Sequence, residues 1–78
     1  MSEIKVTQEL DCSGMNCPLP VVKTAQMAKT LKKGNILKVI ATDPGSEKDM
    51  PAWSRRTGNK IMETSKQDDK FIYIVKIK

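Results

Sequence analysis

The sequence contains no histidine. That removes the usual general base, the commonest nitrogen ligand for metals, and any cysteine–histidine nucleophile pair. Aromatic residues are almost as scarce, with one Trp, one Tyr and one Phe, too few to build a stacking platform for nucleic-acid bases. No apolar run approaches membrane-spanning length, and Met1-Ser2-Glu3-Ile4-Lys5 lacks the apolar stretch of a signal peptide, so the expected compartment is the cytoplasm, with no membrane insertion. Two cysteines at C-x4-C spacing cannot complete a four-ligand zinc site, and neither a metal nor a cofactor is expected. In a reducing compartment those thiols stay free and available for chemistry.

What is present fits one small domain over residues 1–78, expected to be a monomer. Apolar residues make up 38% of the chain, enough for a modest core but not for a deep, many-walled active site. A reactive group is therefore expected near the surface, with a partner supplying the rest. The net charge of +5 is spread from Lys5 to Lys78 without a basic tail. Such a balance attracts nucleic acid, anionic small molecules or acidic proteins, and does not choose among them.

Alternation of Ile4, Val6 and Leu10 with polar residues predicts a first strand, followed by a loop over residues 11–16. From Pro18 to Leu31 the residues Val21, Thr24, Ala25, Ala28 and Leu31 fall at helical spacing, with Lys32-Lys33-Gly34 as the stop. Ile36 to Thr42 reads as a central strand. A second helix ends at Thr57-Gly58. Ser46 and Asp49 resemble a capping box, but Pro51 disfavours helix at Met50 and moves the expected regular start to about Asp49. Lys60 to Ser65 and Lys70 to Ile77 form a hairpin across residues 66–69, with Phe71, Tyr73, Val75 and Ile77 on one face. The order β-α-β-α-β-β predicts an α/β (α+β) two-layer sandwich: a four-stranded mixed sheet with two helices on one face.

The chemistry concentrates in Asn16-Cys17-Pro18-Leu19-Pro20. Proline is favoured at the first helical position, so Pro18 at that position would make Cys17 the N-cap. A sulfur there would meet free backbone N–H groups and the positive end of the helix dipole, both of which favour a thiolate. The competing reading is a small buried hydrophobe, where free cysteines most often go.

The run Leu10-Asp11-Cys12-Ser13-Gly14-Met15-Asn16-Cys17-Pro18-Leu19-Pro20 resembles the signature of the TusA/SirA family of small sulfur carriers, with Cys-Pro-x-Pro opening the first helix. The blocks Ala41-Thr42-Asp43-Pro44-Gly45-Ser46, Asp49-Met50-Pro51-Ala52-Trp53 and Thr57-Gly58 extend the resemblance over nearly the whole chain. It implies the same sandwich, similar to the C-terminal domain of a bacterial translation initiation factor. It also implies that Cys17 carries sulfur as a persulfide or thiosulfonate. Sulfur of this kind serves tRNA thiolation, cofactor sulfuration or reduced-sulfur metabolism. Implied partners are sulfur donor and acceptor proteins: a cysteine desulfurase, a rhodanese-like protein or a DsrE-like protein.

Around Cys17, Pro18 and Pro20 are expected to stiffen the first turn, and Asp11 and Gly14 to shape the loop. Cys12 could act as a resolving thiol, against a plain packing role. Lys23, Arg55 and Arg56 could form a docking face, against a solvated role in which the arginines suit the helix dipole. Sulfurtransferase-type chemistry needs no histidine, since the thiolate is itself the nucleophile. The alternative function is a basic nucleic-acid-binding or regulatory module, which the scattered lysines and scarce aromatics disfavour.

Overall fold

The computed structural model describes residues 5–16 and 18–78. The expectations placed on Ile4 and on Cys17 itself fall outside them. Six elements follow in the order β1 (Gln8–Cys12), α1 (Leu19–Ala28), β2 (Ile36–Ala41), α2 (Ser46–Thr57), β3 (Lys60–Gln67) and β4 (Lys70–Lys76). The sheet order is β1-β2-β4-β3. β1 runs parallel to β2, while β2/β4 and β3/β4 are antiparallel, so the sheet is mixed as expected.

The register explains which residues make the core. Leu37, Val39 and Ala41 of β2 stand beside Val75, Tyr73 and Phe71 of β4 on one face, and all six are buried. The alternate residues Lys38, Ile40, Ile72 and Ile74 point to the other face and are half-buried. This period of two is what a sheet covered on one side requires. Trp53 and Met50 of α2, with Pro20, Thr24 and Ala28 of α1, close the covered face. Each large side chain fully buried there contributes about 1.5–3 kcal/mol. The Tyr73 hydroxyl would be costly in this interior, but it lies 2.8 Å from the Ser46 Oγ, and each satisfies the other.

Several boundaries differ from the sequence reading, each for a physical reason. β1 ends at Cys12 rather than Leu10, because parallel pairing of Cys12 with Ala41 carries the strand two residues further. α1 stops at Ala28 rather than Leu31. There the Thr30 and Leu31 amides turn back to the Met27 and Ala28 carbonyls, and the Thr30 hydroxyl also takes the Met27 carbonyl at 2.7 Å. Gly34, at φ +90°, therefore serves the turn into β2 and is not the helix stop.

α2 begins at Ser46, three residues before the start that Pro51 suggested. Amides 46–49 bond back to the carbonyls of Asp43, Pro44 and Gly45, so the first turn is complete before the proline withholds its donor. No capping box forms. The N-cap is Gly45, and the Ser46 hydroxyl is spent on Tyr73. The hairpin turn shrinks to Asp68-Asp69, since Gln67 and Lys70 still pair. A bulge at Met62, where the register shifts between Ile61 and Glu63, leaves that methionine exposed.

Candidate functional site

β1 and β2 are parallel, so their C-terminal ends lie at the same edge of the sheet, and the loop leading to α1 crosses that edge. The loop is stapled from both sides. The Ser13 amide donates to Asp11 Oδ1 at 2.9 Å, an aspartate turn, and the Met15 amide donates to the Cys12 carbonyl at 3.1 Å. Gly14 sits at φ +80°, and its amide donates to Thr42 Oγ1 at 2.8 Å, tying the loop to the end of β2. No atom outside its immediate neighbours lies within 4 Å of the position a Cβ would take at Gly14. The backbone angle, not a lack of room, is what calls for glycine.

Asp11 is exposed, and the Ser13 hydroxyl and amide together hold its carboxyl below the ordinary carboxylate value, with help from the Lys70 charge. Asp11 thus acts on the loop's shape.

Cys12, assigned to the loop from sequence, is in β1 and fully buried as a free thiol. Burial pushes its pKa up, the neighbouring Asp11 charge adds to this, and Lys23 works weakly against it. A buried, protonated thiol is a poor nucleophile.

At the start of α1 the capping differs from expectation. Pro18 occupies the N-cap position at φ −96°, and Leu19 is the first helical residue. The Pro18 carbonyl accepts the first intrahelical bond, from the Val22 amide at 3.1 Å, and the Leu19 amide bonds back to the Asn16 carbonyl at 2.8 Å. The N-cap assignment of Cys17 therefore moves one residue on, because two prolines flank the point where the helix begins. Those prolines also strip the first turn of donors. Pro18 and Pro20 have none and Leu19 has spent its own, which leaves Val21 as the first-turn amide that neither proline nor Asn16 claims.

Pro20 is fully buried and faces the sheet, and its carbonyl accepts the Thr24 hydroxyl at 2.7 Å. Pro18, by contrast, is exposed. So are Leu19 and Val22, at 47% and 40%, an apolar pair on the outer side of the first turn. Sequence reading passed over this pair. The signal was available: Leu19 and Val22 are three apart and lie off the four-residue row of Pro20, Thr24 and Ala28 that the helix buries.

Lys23 is exposed on α1, close enough to the Cys12 thiol to influence it. Arg55 and Arg56 lie in the last turn of α2. α2 starts at the loop edge and runs the length of the sheet, so the two arginines end at the opposite edge, apart from Lys23. Among the described residues no group of histidine, cysteine and carboxylate side chains could hold a metal ion. None of their helices is long and apolar enough to cross a membrane.

Comparison with known proteins adds the relatives. The sequence model of the family described as Sulfurtransferase TusA matches residues 8–77. The chain is 46% identical over 69 residues to the sulfur carrier protein TusA of Allochromatium vinosum, covering 88% of this chain and 91% of that protein. It is 42% identical over 76 residues to a putative sulfur carrier protein of Aquifex aeolicus, covering 97% of this chain but only 39% of the longer relative. It is 33% identical over its full length to the sulfur carrier protein TusA of Pseudomonas putida. The crystal structure of a SirA-like protein from Desulfitobacterium hafniense superposes with a TM-score of 0.79 at 18% identity, over 90% of this chain and 96% of that one, which shows the shared fold.

Proposed function

The chain belongs to the TusA family of sulfurtransferases, and on that premise we propose that it is a sulfur carrier working through Cys17. The Cys17 thiolate attacks the outer sulfur of a donor persulfide. A new S–S bond forms to Cys17, the donor's own S–S bond breaks, and the donor leaves as a thiolate. In the second half an acceptor thiolate attacks the outer sulfur on Cys17, whose thiolate is then the leaving group. Sulfur moves with no net oxidation, so neither metal nor redox cofactor enters the exchange.

The observation that carries this reading is Cys-Pro-x-Pro at the junction of β1 and α1 in a chain whose relatives are named sulfur carriers. The surroundings support it. Asn16 and Pro18 belong to a tight turn closed by the Asn16–Leu19 bond, and Gly14 and Pro20 are pinned to β2 and to the core. The exposed Leu19 and Val22, with Lys23 beside them, offer a partner an apolar contact with one cation at its rim. Cysteine desulfurases, rhodanese-like proteins and DsrE-like proteins are the partner classes for this exchange.

The test is intact-mass spectrometry after incubation with a persulfide donor in the absence of reductant. The expected product gains one sulfur atom (about 32 Da) that dithiothreitol removes. Cys17→Ala abolishes the gain and Cys12→Ala keeps it. An unmodified wild-type protein, or a gain that survives Cys17→Ala, refutes the assignment.

A further inference from the structure

Between the last turns of α1 and α2 the helix layer leaves an open cleft of about 490 Å³. Its floor is Ala25, Ala28 and Leu31 from α1 and the turn after it, Trp53 from α2, and Ile77 beyond the end of β4. The cleft exists because α1 presents only methyl side chains, Ala25 and Ala28, on this side. Longer apolar side chains there would fill it, and filling such gaps ordinarily stabilises a domain.

The polar groups of the wall are turned on one another. The Thr57 hydroxyl donates to the Trp53 carbonyl at 2.8 Å, Asn59 Nδ2 donates to Thr57 Oγ1 at 3.1 Å, and Asn59 Oδ1 accepts the Lys78 amide at 2.8 Å. That leaves Lys29 and Lys78 on the lining, neither with an ion-pair partner among the described residues. The Lys78 side chain lies against Gly58, which caps α2, so both lysines belong to the helix side of the sheet. The charge of one sign continues past the cleft. Residues 12–42 and 50–62, which supply both helical walls, contain no Asp or Glu. Exposed Lys32 and Lys33 extend one wall, and exposed Arg55 and Arg56 the other. Helix C-termini favour nearby cations, which accounts for the sign of these residues but not for an unfilled apolar cleft at the same place.

An occupant must therefore bring an apolar group for the floor and negative charge for both rims. A nucleic-acid backbone has the charge but no aliphatic group, and Trp53, 2% exposed, offers no ring face for a base. A small amphipathic acid would fill the cleft and leave Lys32, Lys33, Arg55 and Arg56 unused. We propose that this cleft seats an apolar side chain from an acidic segment of a partner protein. The surface begins well along α1, whose rise of about 1.5 Å per residue sets Ala28 about 13 Å from Leu19. It does not depend on the chemistry of Cys17.

The test is amide chemical-shift mapping by NMR of the full isotope-labelled chain, titrated with the peptide Glu-Asp-Glu-Asp-Phe-Glu-Asp-Glu. The expected shifts concentrate on Ala25, Ala28, Leu31, Asn59 and the Trp53 indole. Replacing the peptide's Phe by Ala weakens binding about tenfold or more, through loss of the buried anchor. Lys29→Gln weakens it about fivefold, and Ala25→Glu, which sets a carboxylate in the cleft, about tenfold. Lys48→Gln, at the opposite end of α2, stays within about twofold of wild type. Signal dispersion confirms that each variant is folded. Shifts that are absent or scattered, equal binding of the Ala peptide, or equal weakening by Lys48→Gln overturns the proposal. So does sodium octanoate binding as tightly as the peptide, which assigns the cleft to a small acid. The same holds for shifts at these residues on concentrating the chain alone, which assign it to a second copy.

Discussion

Burial of Cys12 makes a quantitative prediction about its reactivity. The side chain is fully covered, and its strand is paired along its length with β2, so a reagent reaches the sulfur only when β1 opens. Native domains hold about 0.05–0.15 kcal/mol per residue, which for this chain gives about 4–12 kcal/mol. At about 1.4 kcal/mol per factor of ten, the low end protects Cys12 about 1,000-fold, and its raised pKa adds to that. The measurement uses Cys17→Ser, so that Cys12 is the sole thiol, with iodoacetamide alkylation followed by mass spectrometry in buffer and in urea at one pH. Native alkylation is expected to be slower by about three orders of magnitude or more. Native and unfolded rates within tenfold of each other would refute the core placement, and with it the argument that Cys12 is too inaccessible to resolve a persulfide.

Three further outcomes follow from buried or strained groups. Ser46→Ala and Tyr73→Phe each leave one hydroxyl buried without its partner, so each costs about 1–3 kcal/mol in urea unfolding, while the double variant costs less than their sum. Both Cys12 and Tyr73 have pKa values raised from their ordinary 9.0 and 10.0. As pH rises past 9 the unfolded chain loses protons that the native state keeps, so stability falls on the alkaline side, and Cys12→Ala with Tyr73→Phe flattens that fall. Gly14→Ala costs about 1–2 kcal/mol from the left-handed backbone alone, read as a lower urea midpoint with unchanged slope, and Gly14→Asn costs less.

The strands and helices were legible where one physical signal dominated. Ile36 to Thr42 is strongly apolar and β-branched, broken only by Lys38, and β2 differs from its expected span by a single residue. Where two signals competed, the tertiary partner decided. Pro51 argued against helix at Met50, yet burial of Met50 and the Ser46–Tyr73 bond fix the start of α2 earlier. Asp11 and Cys12 looked like loop formers because nothing local reveals that Ala41 waits beside them. At the site, glycine and the two prolines announced a constrained turn. The hydroxyl oxygen that accepts the Gly14 amide is 28 residues away in sequence, and the burial of Pro20 beside an exposed Pro18 depends on how α1 lies against the sheet. Neither can be read from spacing.

The bulge at Met62 has a consequence for how copies of this chain tolerate crowding. β3 is the long free margin of the sheet, and a flat margin of that kind invites strand addition from a neighbour. The extra residue breaks the regular spacing of hydrogen-bonding groups near the Lys60 end. The opposite margin, β1, is short and parallel to its neighbour. The irregular spacing that the bulge leaves along β3 gives a neighbouring strand a poorer template to extend.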